Sequence, residues 1–95
     1  MFGNKIRELR EKKGLILRKV AALIDVDTAT LSKIELGDRQ AKREHLVILA
    51  DLYNISYQEL EKLWLADKIY DVIENEERGL DALNEAKTLY KRNNK

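Results

Sequence analysis

The tetrapeptide Ile24-Asp25-Val26-Asp27 connects two short segments with helical periodicity, residues 17–24 and 28–36. Asp25 is one of the few residue types besides glycine that tolerate a left-handed backbone, which a tight turn between helices requires. Asp27 is a good N-cap for the second segment. A turn this short sets the two helices at roughly 90 to 120° to each other and leaves the second helix standing out from the surface.

Apolar residues recur at helical spacing along most of the remaining chain, which has no proline and only four glycines. Because 37% of the residues are charged and 44% are apolar, the chain can form one core with a hydrated surface. The sequence therefore predicts an all-α fold. The further predicted helices cover about residues 4–13, 43–53, 57–73 and 80–90.

The chain has 95 residues, no cysteine and one histidine, His45, which is predicted to lie on the polar side of its helix. These counts exclude disulfide frameworks, thiolate nucleophiles and zinc sites built from sulfur or several imidazoles. No nucleophile–base pair or glycine-rich phosphate loop is evident, so we expect no enzyme activity, cofactor or metal. Apolar runs such as Val20–Ile24 are far too short to span a membrane, and we expect a cytoplasmic protein.

Charge is distributed unevenly along the chain. Residues 1–43 carry 11 Lys or Arg against 6 Asp or Glu, a net of +5, whereas residues 44–95 carry 7 against 11, a net of −4. A basic front of this kind favours contact with a polyanion, which would repel the acidic rear. The alternative is that the asymmetry is the ordinary unevenness of a small protein's surface.

The turn and its flanking residues resemble the Cro and phage-repressor type of helix-turn-helix protein, the Xre family, over about residues 2–63. The resemblance implies a five-helix lambda-repressor-like DNA-binding domain in residues 1–63. The remaining residues, 64–95, are a C-terminal extension, in which the end of the fifth helix and a sixth helix would form a helical hairpin. The matching residues are Ile6, Leu9, Arg10, Gly14, Leu15, Val20, Ala21, Val26, the run Thr30–Glu35, Gly37, Leu46, Leu49, Ala50, Ile55 and Ser56.

The resemblance also implies roles for individual residues. The second helix of the motif would enter the major groove, where Lys33 is the best base reader because it can donate to guanine O6 and N7. Arg10 and Glu35 would form an internal ion pair. The implied base contacts are Thr28, Ala29, Ser32 and Lys33. The implied phosphate contacts are Arg18, Thr30, Arg39, Gln40, Lys42 and Arg43.

Five positions depart from the family pattern. Leu17 stands where a glutamine usually meets a phosphate, and Leu36 stands where an asparagine is frequent. Asp25 replaces the usual turn glycine, and Ala41-Lys42 replaces a common proline and serine. We therefore expect DNA binding weaker than is typical of the family.

Residues 64–95 exceed what such a domain needs. Their apolar side chains either complete the monomer core or form a dimer interface, for which Trp64, Leu65, Ile69 and Ile73 are the candidates. The leading hypothesis is a homodimeric, sequence-specific transcriptional regulator that binds a palindromic operator in the nucleoid. Restriction-modification controllers and antitoxins of the family have a similar size. The alternative is a protein-interaction module in which Ile16-Leu17 and the acidic hairpin dock a partner and DNA binding is weak or lost.

Overall fold

The computed structural model describes residues 1–94, so Lys95, the last residue of the predicted extension, lies outside the described residues. Six α-helices follow one another, with no strand within residues 1–94, and the predicted all-α fold is confirmed. Three predicted helices begin and end where expected, a fourth begins where expected, and the remaining bounds move by one to three residues. The helices are α1 (Phe2–Lys12), α2 (Leu17–Leu23), α3 (Thr28–Leu36), α4 (Arg43–Tyr53), α5 (Tyr57–Ile73) and α6 (Gly79–Asn93).

The chain divides into two compact units, Met1–Leu65 and Ala66–Lys95. The first unit contains α1 to α4 and the first half of α5. The second contains the rest of α5 and α6.

Local chemistry fixes the turns of the first unit as the sequence predicts. Asp25 and Asn54 have positive φ angles, 58° and 53°, and Gly37 has a φ of 87° at the end of α3. The backbone N–H of Thr30 donates to Asp27 Oδ1 at 2.7 Å, which satisfies a free amide of the first turn of α3. The start and the end of α3 are therefore set by residues next to it in the chain.

The core of the first unit gathers apolar residues from all five of its helices. Helix α1 packs so closely on α3 that a Cβ added to Gly3 would lie 2.5 Å from the carbonyl oxygens of Ile34 and Glu35. The predicted surface position of His45 is wrong, because its side chain is buried and its Nδ1 accepts a hydrogen bond from the N–H of Lys42 at 3.1 Å. The largest fully buried side chains are Ile6, Val20, Ile24, Leu31, Leu46, Leu49 and Leu60.

The second unit buries little. Gly79 is the only buried residue of α6. A Cβ added to Gly79 would lie 2.5 Å from the carbonyl oxygen of Ile73. The large apolar side chains of α6 remain exposed, including Leu80 at 70% and Tyr90 at 69%. The two predicted roles of the C-terminal helices, completing the monomer core or forming a dimer interface, stay predictions.

Candidate nucleic-acid interface

Helix α3 has one buried side and one accessible side. The four predicted base-contact residues lie on the accessible side, within an arc of about 140° if each residue turns the helix by about 100°. Of these four, only Ser32 is half-buried, and the other three are exposed. The buried residues are Leu31, Ile34 and Glu35, and the four on the accessible side are Thr28, Ala29, Ser32 and Lys33.

Leu36 lies near the middle of the same arc, because it follows Ala29 by seven residues, close to two helical turns. Its side chain is 63% exposed. The family resemblance did not place Leu36 among the implied base contacts. Its spacing of seven residues from Ala29 could have indicated that the two lie on the same side of the helix. An apolar side chain at this position cannot bond a phosphate but can contact a thymine methyl group. We call Thr28, Ala29, Ser32, Lys33 and Leu36 the recognition arc.

Four of the six predicted phosphate-contact residues line one cleft of about 440 Å³. The residues of the turn between α2 and α3 form part of its wall, and His45 and Glu44 of α4 form another. Burial lowers the pKa of His45, so its imidazole is neutral at pH 7 and adds no charge to the cleft. The four predicted residues in the cleft are Thr30, Arg39, Gln40 and Lys42.

The other two predicted phosphate contacts lie elsewhere. Arg18 is exposed on α2. Arg43, the first residue of α4, is ion-paired with Glu61 of α5, and its guanidinium carbon lies 4.8 Å from the centre of the Trp64 ring. Its side chain is thus engaged inside the first unit, whereas the resemblance implied a contact with DNA.

Trp64 lies in the core of the first unit. Its side chain is only 5% exposed, and its indole N–H donates to the carbonyl oxygen of Ala41 at 2.8 Å. A buried and hydrogen-bonded indole has little surface to offer a partner, so its assignment to a dimer interface is corrected. Leu65 and Ile69 of the same predicted set are exposed, and Ile73 is half-buried.

Arg10 and Glu35 connect α1 to the buried side of α3. Arg10 Nε donates to Glu35 Oε2 at 2.8 Å and Nη2 donates to Oε1 at 3.1 Å, while Nη1 donates to the carbonyl oxygen of Leu15 at 2.9 Å. Hydrogen bonding to Glu35 raises the pKa of Arg10. This two-point pairing orients α3 against α1 without using the recognition arc.

The hydroxyl of Tyr53 is buried and has no hydrogen-bond partner within residues 1–94. Burial, reinforced by the charge of Glu35, raises the pKa of Tyr53 to about 12. The phenol therefore stays neutral at physiological pH and contributes chiefly through packing.

Comparison with known proteins agrees with this geometry. A family model described as helix-turn-helix, of the Xre/Cro type, matches residues 6–60, which is more than half of the chain. Searches of curated proteins and of solved structures found no match. Within residues 1–94, no helix is both long and apolar enough to cross a membrane. The chain belongs to the Xre/Cro-type helix-turn-helix family of DNA-binding regulators.

Proposed function

We propose that the protein is a sequence-specific regulator of transcription that reads the major groove with the recognition arc. The observation that carries this proposal is the position of the arc on the accessible side of α3, beside a cleft lined by Thr30, Arg39, Gln40 and Lys42. Base edges specify a site and phosphates position the protein on it, and the two sets of residues match these two tasks.

Lys33 supplies the strongest discrimination, because its ammonium group can donate to both O6 and N7 of guanine. The methyl groups of Thr28 and Ala29 suit a thymine methyl. Three of the polar or charged residues that line the cleft, Arg39, Gln40 and Lys42, hold the phosphates on the far side of the groove, and Arg18 contributes from α2. This division of roles separates a loss of specificity from a loss of affinity in the experiment below.

One copy of this arc gives too little discrimination to find one site in a genome. Two copies related by a two-fold axis double it, and their recognition helices must then lie about 34 Å apart to enter the groove on one side of the duplex. The exposed apolar residues of the second unit, Ile69, Leu83 and Tyr90 among them, provide the surface for a second copy. The operator is then a palindrome, and the protein acts as a homodimeric repressor or autoregulator, as restriction-modification controllers and antitoxins of similar size do.

The test begins with selection of bound sequences from random duplex DNA. Dissociation constants are then measured on the selected site and on a scrambled duplex over a salt series. Lys33→Ala is expected to weaken binding to the selected site by about 1 to 3 kcal/mol and to leave binding to the scrambled duplex nearly unchanged. Lys62→Ala is the matched control, because Lys62 is also exposed but is paired with Glu59 on α5. Equal losses on both duplexes would show that α3 does not read bases.

A second candidate function is a protein-interaction module with little DNA affinity. It is favoured by Ile16 and Leu36, large apolar side chains that are 57% and 63% exposed on the first unit. This function would be favoured if the protein showed no salt-dependent retention on duplex DNA and if the selection from random duplexes yielded no preferred sequence.

A further inference from the structure

Three residues of α5 point toward the start of α4. Tyr57, Glu61 and Trp64 follow one another at intervals of four and three residues, which places them on one side of the helix. The hydroxyl of Tyr57 donates to Glu61 Oε2 at 3.0 Å, and the same carboxylate oxygen pairs with Arg43. The guanidinium of Arg43 in turn lies over the Trp64 ring. We call Arg43, Tyr57, Glu61 and Trp64 the α5 clamp.

The clamp holds the segment that carries the predicted phosphate contacts. The Trp64 indole fixes the carbonyl of Ala41, the residue that precedes Lys42, and the ion pair with Glu61 fixes Arg43, the residue that follows it. At the other end of the segment, the N–H of Asp38 donates to the carbonyl oxygen of Lys33 at 2.9 Å. The backbone from 39 to 42 is thus tied to the recognition helix at one end and to α5 at the other.

Neither Trp64 nor Glu61 is in a position to bind DNA. Trp64 is buried, and the carboxylate of Glu61 would be repelled by phosphates. Arg43 is an exposed cation, but its charge is already matched by Glu61. The clamp therefore acts on DNA through the backbone that it holds, because a binding segment fixed in advance loses less entropy when it meets its ligand.

We propose that Arg43, Glu61 and Trp64 are positioning residues for DNA binding, which hold Arg39, Gln40 and Lys42 in register with the phosphates. The proposal rests on the DNA-binding function proposed above. It assigns Arg43 to the clamp in place of the phosphate-contact set. It also makes the first half of α5 part of the DNA-binding machinery, although that part of the helix carries no DNA contact of its own.

Glu61→Gln tests the proposal through the sign of its effect. Removing a negative charge ordinarily strengthens binding to DNA, and it would do so most of all if Glu61 only withheld Arg43 from a phosphate. If Glu61 is a positioning residue, Glu61→Gln instead lowers affinity for both selected and scrambled duplexes by about 3- to 10-fold. This is the effect expected when one or two side chains are no longer held in advance and lose their freedom only on binding DNA. Stronger or unchanged binding by Glu61→Gln would overturn the proposal.

Glu59→Gln is the matched control for this experiment. Glu59 lies two residues earlier on α5, is exposed and pairs with Lys62 on its own helix, away from the clamp. Its substitution makes the same change in net charge and is expected to leave DNA affinity unchanged or slightly higher. An equal loss of affinity in both variants would refute the specific role of Glu61.

Trp64→Phe keeps an aromatic ring in the core and removes the N–H that binds Ala41. We expect faster amide hydrogen exchange in residues 39–43, with no change in α1 or α3, and a several-fold loss of DNA affinity. Tyr53→Phe is the matched control, because it removes a buried aromatic hydroxyl that has no partner within residues 1–94. Unchanged exchange in residues 39–43 would refute the clamp itself, and this result does not depend on DNA. Failure of the wild-type protein to bind any duplex would refute the proposed function instead.

Discussion

The two units of the molecule use similar apolar residues in opposite ways. In the first unit, Leu31, Leu46 and Leu60, each from a helix with apolar periodicity, are fully buried in one core. In the second, Leu80, Leu83 and Leu89 occur at comparable spacing on α6 and all remain exposed. Periodicity alone predicts a helix in both places, whereas burial depends on whether the same chain supplies the opposite surface. The first unit does so, whereas the large apolar side chains of α6 are exposed within residues 1–94.

Polar groups show the same difference. The first unit matches buried donors with buried acceptors, as Arg10 with Glu35 and Trp64 with Ala41. Helix α6 has Asp81 in its first turn and Lys91 and Arg92 in its last turn, charges that complement the helix dipole and stabilise the helix locally. The first unit is thus held by long-range contacts, while α6 is supported by interactions along its own length.

The buried ion pair of Arg10 and Glu35 should give the largest difference in stability between substitutions in the two units. Glu35→Ala should lower the free energy of unfolding by about 3 to 5 kcal/mol, because it leaves Arg10 charged and largely enclosed. Glu77→Ala removes an exposed pair with Arg78 in the second unit and should cost no more than about 1 kcal/mol. Chemical denaturation of both variants measures the difference.

The double variant Arg10→Ala with Glu35→Ala sharpens this test. It should lower the free energy of unfolding by less than the sum of the two single substitutions, because neither charge is left without its partner. Strict additivity would mean that the two groups do not act as a buried pair.

Leucine truncation compares the two cores directly. Leu60→Ala should destabilise the protein by about 2 to 5 kcal/mol, since it opens a cavity in the first unit. Leu80→Ala, measured at a protein concentration low enough to keep the chain monomeric, should change stability by less than about 0.5 kcal/mol, as surface substitutions do. A comparable loss from Leu80→Ala in the monomer would show that α6 is part of a core after all.

The proposed dimer predicts what covers α6. Replacing Leu83 and Tyr90 together by serine should raise the dimer dissociation constant by at least about 10-fold and weaken binding to a palindromic operator, because both large apolar groups lie on one side of the helix. Thermal unfolding of the first unit should be unaffected. Asn84→Ala is the control, because Asn84 lies about 100° around α6 from Leu83.

Sedimentation equilibrium of free protein and of the DNA complex decides this prediction. A wild-type monomer at high concentration in both samples would refute the dimer. A dimer that tolerates the Leu83 and Tyr90 substitutions would place the interface on other residues.

Local signals made much of the first unit predictable from sequence. The ends of α3 follow from Asp27 and Gly37, and the turns follow from Asp25 and Asn54, because each is decided by one residue's backbone preference or capping oxygen. The helix assignments and the accessible side of α3 follow from periodicity.

Tertiary contacts explain what the sequence did not reveal. Trp64 is buried because Ala41, distant along the chain, accepts its N–H, and periodicity carries no information about that acceptor. Arg43 pairs with Glu61, which is also distant along the chain, so periodicity does not predict this contact either. His45 was predictable in part, since a side chain at the third position of a helix can accept the N–H of the N-cap residue.

The smallest expected effect concerns the cap of α3. Hydrogen bonding with Thr30 lowers the pKa of Asp27 below its ordinary value of 3.8 in the folded protein. A carboxyl group of this kind contributes stability that is fully present above its unfolded pKa and is lost as the pH falls through its lower folded pKa. This contribution is therefore lost below about pH 5.

Asp27→Asn keeps a capping oxygen but cannot titrate, so the variant should lose less stability than the wild type between about pH 5 and pH 3. Unfolding free energies measured over that range test the difference. Parallel pH profiles for the two proteins would mean that the charge on Asp27 adds nothing to the hydrogen bond that caps α3.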